Sequence, residues 1–147
     1  MKAPFQYFGG KARCADLIWQ RFGDVRNYVE PFAGSCAVLL ARPRPFAGTE
    51  TINDMDAYVE NFWRAVKYDP DAVAEYLDWP INEVALESRH KWLVTRERKH
   101  EHVQRMKDDE SYFDAKIAGY WGWGLCAWFG GGWCAGEWVC DPERGGK

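Results

Sequence analysis

Asn27-Tyr28-Val29-Glu30-Pro31-Phe32-Ala33-Gly34-Ser35 is the stretch on which the fold turns. Its first four residues read as a short strand, closed by Pro31, and Phe32 to Ser35 read as a turn. That turn feeds the apolar run Cys36-Ala37-Val38-Leu39-Leu40-Ala41, a helix that Arg42-Pro43-Arg44-Pro45 must end, because proline cannot continue it. Downstream, Thr49-Glu50-Thr51-Ile52-Asn53 is β-branched enough for a second strand. Met55, Tyr58, Val59, Phe62, Trp63 and Val66 then fall on one face of an α-helix, which Asn53 or Asp54 can cap. Strand, glycine turn, helix, strand, helix is the βαβ pattern of an open, mostly parallel α/β sheet.

Working outward, the 147 residues read as one soluble unit able to bury a core without staples. With 19 Lys+Arg against 22 Asp+Glu the net charge is -3, so charge alone gives no footprint of a nucleic-acid binder. Five cysteines, at 14, 36, 126, 134 and 140, form no C-x-x-C pair, and the N-terminus holds no secretion-type apolar stretch. The expectation is a reduced, cytoplasmic chain.

Residues 69–110 read as helical, punctuated by Pro70 and Pro80, with an interleaved mixed-charge stretch from Glu83 to Glu110 that predicts a solvated helix face. All three histidines, His90, His100 and His102, lie here, and His100 and His102 are two apart, off a common helix face, so no metal site is expected. From Ile117 to Gly136 no residue is charged, but seven positions are Gly and four are Trp, which argues against a membrane span. The segment is expected to pack as a glycine-broken aromatic surface on a missing or partner surface.

Where a strand hands over to a helix, an open α/β sheet binds its ligand. Glu30 there suits a cationic or hydroxyl-rich group and repels a pyrophosphate. Asp54, 20 residues beyond Gly34, stands where an acid commonly takes ribose hydroxyls. S-adenosylmethionine satisfies both acids, having a ribose, an amino group and a sulfonium but no phosphate. The same residues also read as a plain turn at Gly34 and a helix cap at Asp54. Tyr7-Phe8-Gly9-Gly10-Lys11 shifts the balance, with two glycines for close backbone approach, a lysine donor for a carboxylate and an aromatic face.

Taken in order, Tyr7-Phe8-Gly9-Gly10-Lys11, Tyr28-Val29-Glu30-Pro31-Phe32-Ala33-Gly34-Ser35 and Ile52-Asn53-Asp54-Met55-Asp56 resemble the Dam-like class of adenine-specific DNA methyltransferases. The run from Asp78 to Val94 and the Trp/Gly segment resemble phage-type members of that class. The resemblance implies a Rossmann-like S-adenosylmethionine-dependent methyltransferase fold, with residues 1–68 as the cofactor-binding α/β portion and 69–147 as a helical segment and the start of a recognition region. It implies that Tyr7 and Gly10 pack by the cofactor and that Lys11 holds its methionine carboxylate. Glu30 and Pro31 would lie near the methionine end, Phe32, Gly34 and Ser35 would line the loop, and Asp54 would take the ribose. Double-stranded DNA is the implied partner.

Two departures stand out. Cys36 occupies the last loop position, where the class usually has glycine, and close approach of backbone to cofactor depends on what it does there. The class clamps a flipped adenine with [DNS]-P-P-[YFW], whereas Asp141-Pro142 here is followed by Glu143 and Arg144. Asp141 and Pro142 are thus the sole, degenerate catalytic candidates. The expectation is a chain that stops before its catalytic loop, completed by a C-terminal half or a second chain. A non-enzymatic remnant binding a partner through its Trp/Gly segment, and a complete small-molecule methyltransferase, are the other readings.

Overall fold

A computed structural model of the chain describes residues 1–130 and 132–134. Its elements in chain order are α1 (Ala15–Phe22), β1 (Asn27–Glu30), α2 (Ala37–Leu40), β2 (Thr49–Ile52), α3 (Ala57–Tyr68), α4 (Pro70–Leu77), α5 (Glu83–Val94), α6 (Arg96–Asp108) and α7 (Ala115–Ala127). The class is mixed α/β with a small parallel sheet: β1 pairs with β2 in register Asn27↔Thr49 to Glu30↔Ile52. The expected parallel pairing of Val29 and Ile52 strands is what forms. The ladder continues past both strands, with Asn53 N donating to Glu30 O and Ala33 N to Asn53 O, each at 3.0 Å. Those two bonds hold the turn after β1 against the segment after β2.

Only one face of β1 is covered. Tyr28 and Glu30 point into the protein while Val29, on the alternate face, is 62% exposed. Ala15, Trp19, Tyr28 and Val38 form a small cluster beneath the sheet, and Trp19 Nε1 donates to Val38 O at 2.7 Å to tie α1 to α2. A larger core runs from Phe5 through Tyr58, Val59 and Phe62 on α3 to Val73, Leu93, Ile117 and Trp121.

Three expectations are corrected. The helix expected from Met55 begins at Ala57, and Met55 stands 89% exposed ahead of it. Neither Asn53 nor Asp54 caps it: the Asp54 carboxylate is held by the amides of Gly34 and Asp56, so Asp56 accepts from Tyr58 N at 2.9 Å instead. The mixed-charge stretch is solvated along much of its length, yet Arg89, His90 and His102 turn inward and are buried.

The third correction concerns the Trp/Gly segment, whose first part is the buried helix α7 rather than a surface awaiting a partner. Asp114 caps it through Ile117 N at 2.8 Å. Its glycines are contact points: a Cβ on Gly119 would overlap the side chain of Tyr76 on α4, and one on Gly124 would overlap the Trp133 ring. With those side chains absent, α7 packs against α3, α4 and α5, and Trp121 and Trp123 are buried by this chain itself. Asn61, fully buried on α3, clasps the entry to α7, donating to Asp114 O at 2.9 Å and accepting from Asp114 N at 2.8 Å. No helix among the described residues is long and apolar enough to cross a membrane.

Candidate functional site

A cavity of about 230 Å³ opens where β1 and β2 end, lined by Tyr7, Phe8, Gly9, Gly10, Lys11, Glu30, Phe32, Ala33, Gly34, Ser35, Ala37 and Asp54. Eight of the nine residues singled out from sequence as cofactor-binding meet there; Pro31 does not, and lines a neighbouring apolar cavity with Val29, Phe22 and Val38.

The first wall is a tight turn. Gly10 N donates to Tyr7 O at 2.8 Å, and Gly9 at φ 73° takes the left-handed position that such a turn requires. The turn leaves the Tyr7 ring lying over Gly34, where a Cβ would stand 2.7 Å from Tyr7 Cδ1. Tyr7 also donates from its hydroxyl to Asp56 Oδ2 at 3.1 Å. Burial first, and then the carboxylates of Asp56 and Asp54, hold its phenol protonated well above the ordinary range.

The second wall is the end of β1. Glu30 is buried, and its Oε2 accepts from Tyr28 Oη at 3.0 Å. Its Oε1 is buried with no hydrogen bond, and the Lys11 ammonium stands 3.5 Å from it. Lys11 in turn donates to Phe32 O at 3.1 Å, so one cation bridges the turn at residue 11 and the loop after β1.

The third wall is the loop 31–36 with Asp54. Gly34 N donates to Asp54 Oδ2 at 2.8 Å and Asp56 N to Asp54 Oδ1 at 3.0 Å, which fixes the carboxylate while leaving further acceptor capacity on both oxygens. Trp63 Nε1 donates to Gly34 O at 2.9 Å and Asn53 Nδ2 to Pro31 O at 3.1 Å, pinning the loop from behind. Cys36, the departure from glycine, keeps the backbone that glycine would adopt, at φ 51° and ψ 30°. Its thiol is buried and does not line the cavity, so it leaves the approach to the loop open. Burial, then the carboxylates of Glu30, Asp54 and Glu60, push that thiol up to about 12.

Sequence reasoning missed the supports. Trp63 reads as one more apolar helix position, and only its indole N–H meeting Gly34 O shows its second use. Asp56 reads as part of a motif, while the structure makes it both the cap of α3 and the partner of Tyr7. The catalytic candidates Asp141 and Pro142 lie outside the described residues. Among the described residues no group of three His, Cys, Asp or Glu side chains stands ready for a metal ion.

The residues fit S-adenosylmethionine by their donor set. A buried acceptor with no hydrogen bond, a carboxylate with spare lone pairs, a half-exposed ammonium and the backbone of Gly9, Gly10 and Gly34 line the space. The cavity is smaller than the roughly 300–1,000 Å³ of complete ligand pockets, so it suits one portion of such a molecule. No curated protein and no solved structure gives a significant match to the chain. A family model does match, that of the D12 class N6 adenine-specific DNA methyltransferases, over residues 7–120. That span begins at the tyrosine on the first wall, takes in all three walls and reaches into α7, and by it the chain belongs to the D12 class of N6 adenine-specific DNA methyltransferases.

Proposed function

We propose that the cavity between Tyr7 and Asp54 binds S-adenosylmethionine, and that the chain serves methyl transfer to the exocyclic amino group of adenine in double-stranded DNA. The observation that carries this reading is the buried, unbonded Oε1 of Glu30 beside Lys11, facing Asp54 across a glycine-lined space. When bound, the cofactor supplies an electrophilic methyl group on a sulfonium.

The chain's own residues then have separable tasks. Glu30 offers its free oxygen to an ammonium, which relieves the cost of an unsatisfied buried carboxylate. Lys11, half-exposed on a flexible stem, can release Phe32 O and meet a carboxylate. Asp54, already oriented by two backbone amides, presents its remaining lone pairs to a pair of hydroxyls. Tyr7 stays neutral and offers a ring face, a favourable neighbour for a cationic sulfur. A carboxylate pair of this kind repels phosphates and so selects against nucleotide cofactors.

Calorimetric titration with S-adenosylmethionine tests the assignment. Asp54→Ala should weaken binding by about 1.5–3 kcal/mol, taking two charge-assisted hydrogen bonds as lost, and Lys11→Ala should weaken it as well. Unchanged affinity in both variants would place the cofactor elsewhere.

A further inference from the structure

A second cavity, of about 540 Å³, lies away from the sheet. It lies between α4, α5 and α7 and shares no lining residue with the first. Its walls are Tyr76, Trp79, Trp92 and Tyr120, with Glu75 and Asp78 on the same lining. At its base is Arg89, whose side chain is nine-tenths buried.

Arg89 is unusual in what it lacks. Its guanidinium lies 4.2 Å from the Tyr120 ring centroid, 4.4 Å from that of Trp123 and 5.4 Å from that of Trp79. Its hydrogen bond runs from Nη1 to Tyr76 O at 2.9 Å. Of five N–H donors, most have no acceptor, and no carboxylate stands within ion-pair distance, among the described residues. None of its nitrogens is both buried and without a partner, so the unbonded donors, which have no counter-ion among the described residues, are open to a ligand in the aromatic cavity. Glu75 and Asp78 are exposed and form no ion pair among the described residues.

These groups restrict the occupant. The guanidinium disfavours a cation, and the two carboxylates disfavour a phosphate or another anion. A flat, neutral group bearing acceptors on one edge and donors on the next satisfies both, with aromatic rings for its faces. Nucleobases have this character, and guanine has it most fully: O6 and N7 accept from a guanidinium fork, while N1–H and the N2 amino group donate to a carboxylate. In a duplex the N1–H is occupied by pairing, so the base must be unpaired.

We infer that the Arg89 cavity is a subsite for an unpaired guanine, in which Arg89 takes the acceptor edge, Asp78 or Glu75 the donor edge, and Trp79 a face. The inference rests on the reading of the chain as acting on DNA and adds to it a base-selective site away from the cofactor cavity.

Labelled DNA hairpins carrying one bulged G, A, C or T, titrated into the full chain by fluorescence anisotropy, test it. The bulged-G hairpin should bind on the order of tenfold tighter than the bulged-A or bulged-T hairpin. Trp79→Ala and Asp78→Asn, both at exposed side chains, should shrink that preference to under about threefold with unchanged circular dichroism. Arg89→Lys, which keeps the charge but not the fork, should do the same. S-adenosylmethionine is titrated in parallel. Equal affinity for all four hairpins with the cofactor still bound would overturn the subsite and leave the methyltransferase reading standing. Guanine preference without cofactor binding would support the subsite and remove the cofactor assignment instead.

Discussion

Gly34 carries more of the candidate site than any other single residue. Its amide holds Asp54, its carbonyl holds Trp63 and its missing side chain makes room for Tyr7. At φ 49° it sits in the left-handed region, where an L side chain costs roughly 1–2 kcal/mol. Gly34→Ala is therefore expected to lower stability by at least that amount in urea unfolding and to displace Tyr7 from the cavity wall. A variant of unchanged stability that binds cofactor normally would contradict this picture. Cys36 already accepts such a backbone, and its burial and raised thiol predict resistance to alkylation. Peptide mapping after iodoacetamide treatment of the native chain should find exposed Cys14 modified and Cys36 protected until denaturant is added.

At the scale of elements, the βαβ unit was legible because its signals are local. Strand runs of four residues, a proline and glycine turn and a 3.6-residue period lie within forty positions of one another. The bounds slipped at Met55 because periodicity cannot see that Asp54 is already engaged by Gly34 N. The cavity was legible for a similar reason, since the turn at residues 7–11, the strand-end acid and the second acid each carry a short motif. What sequence could not show was α7. Its glycines look like breaks until Tyr76, on α4, and Trp133, beyond the end of α7, are seen filling the places their side chains would occupy. The inward turn of Arg89, His90 and His102 was hidden by the charges around them. Asn61 ties α3 to the entry of α7: Asn61→Ala removes two hydrogen bonds to Asp114 and should cost about 2–4 kcal/mol in chemical denaturation. A loss under 0.5 kcal/mol would show that α7 is held by packing alone.

For the whole molecule, acid is the expected weakness. Burial lowers the affinity of His90 and His102 for a proton below the ordinary value of 6.5. The unfolded chain therefore binds more protons than the native one once pH drops below about 6.5, and stability falls with it until the native histidines titrate. Each can contribute at most about 1.4 kcal/mol per pH unit, and His102→Gln should flatten the slope of unfolding free energy between pH 6.5 and 5. Methyl transfer is a second whole-molecule property. Since Asp141-Pro142 is followed by Glu143 rather than a second proline and an aromatic ring, the 147-residue chain alone is expected to leave DNA unmethylated in a radiolabel assay. Robust transfer abolished by Asp141→Ala would show that these residues clamp adenine after all.

The central claim is that the three walls between Tyr7 and Asp54 form a cofactor site, and amide hydrogen exchange with and without saturating S-adenosylmethionine tests it most directly. The account predicts slowed exchange in peptides covering residues 7–11, 30–36 and 53–56, where Gly10, Gly34 and Asp56 amides support the cavity, and unchanged exchange along α6. Unchanged exchange in those three segments, with protection appearing elsewhere or nowhere, would contradict it.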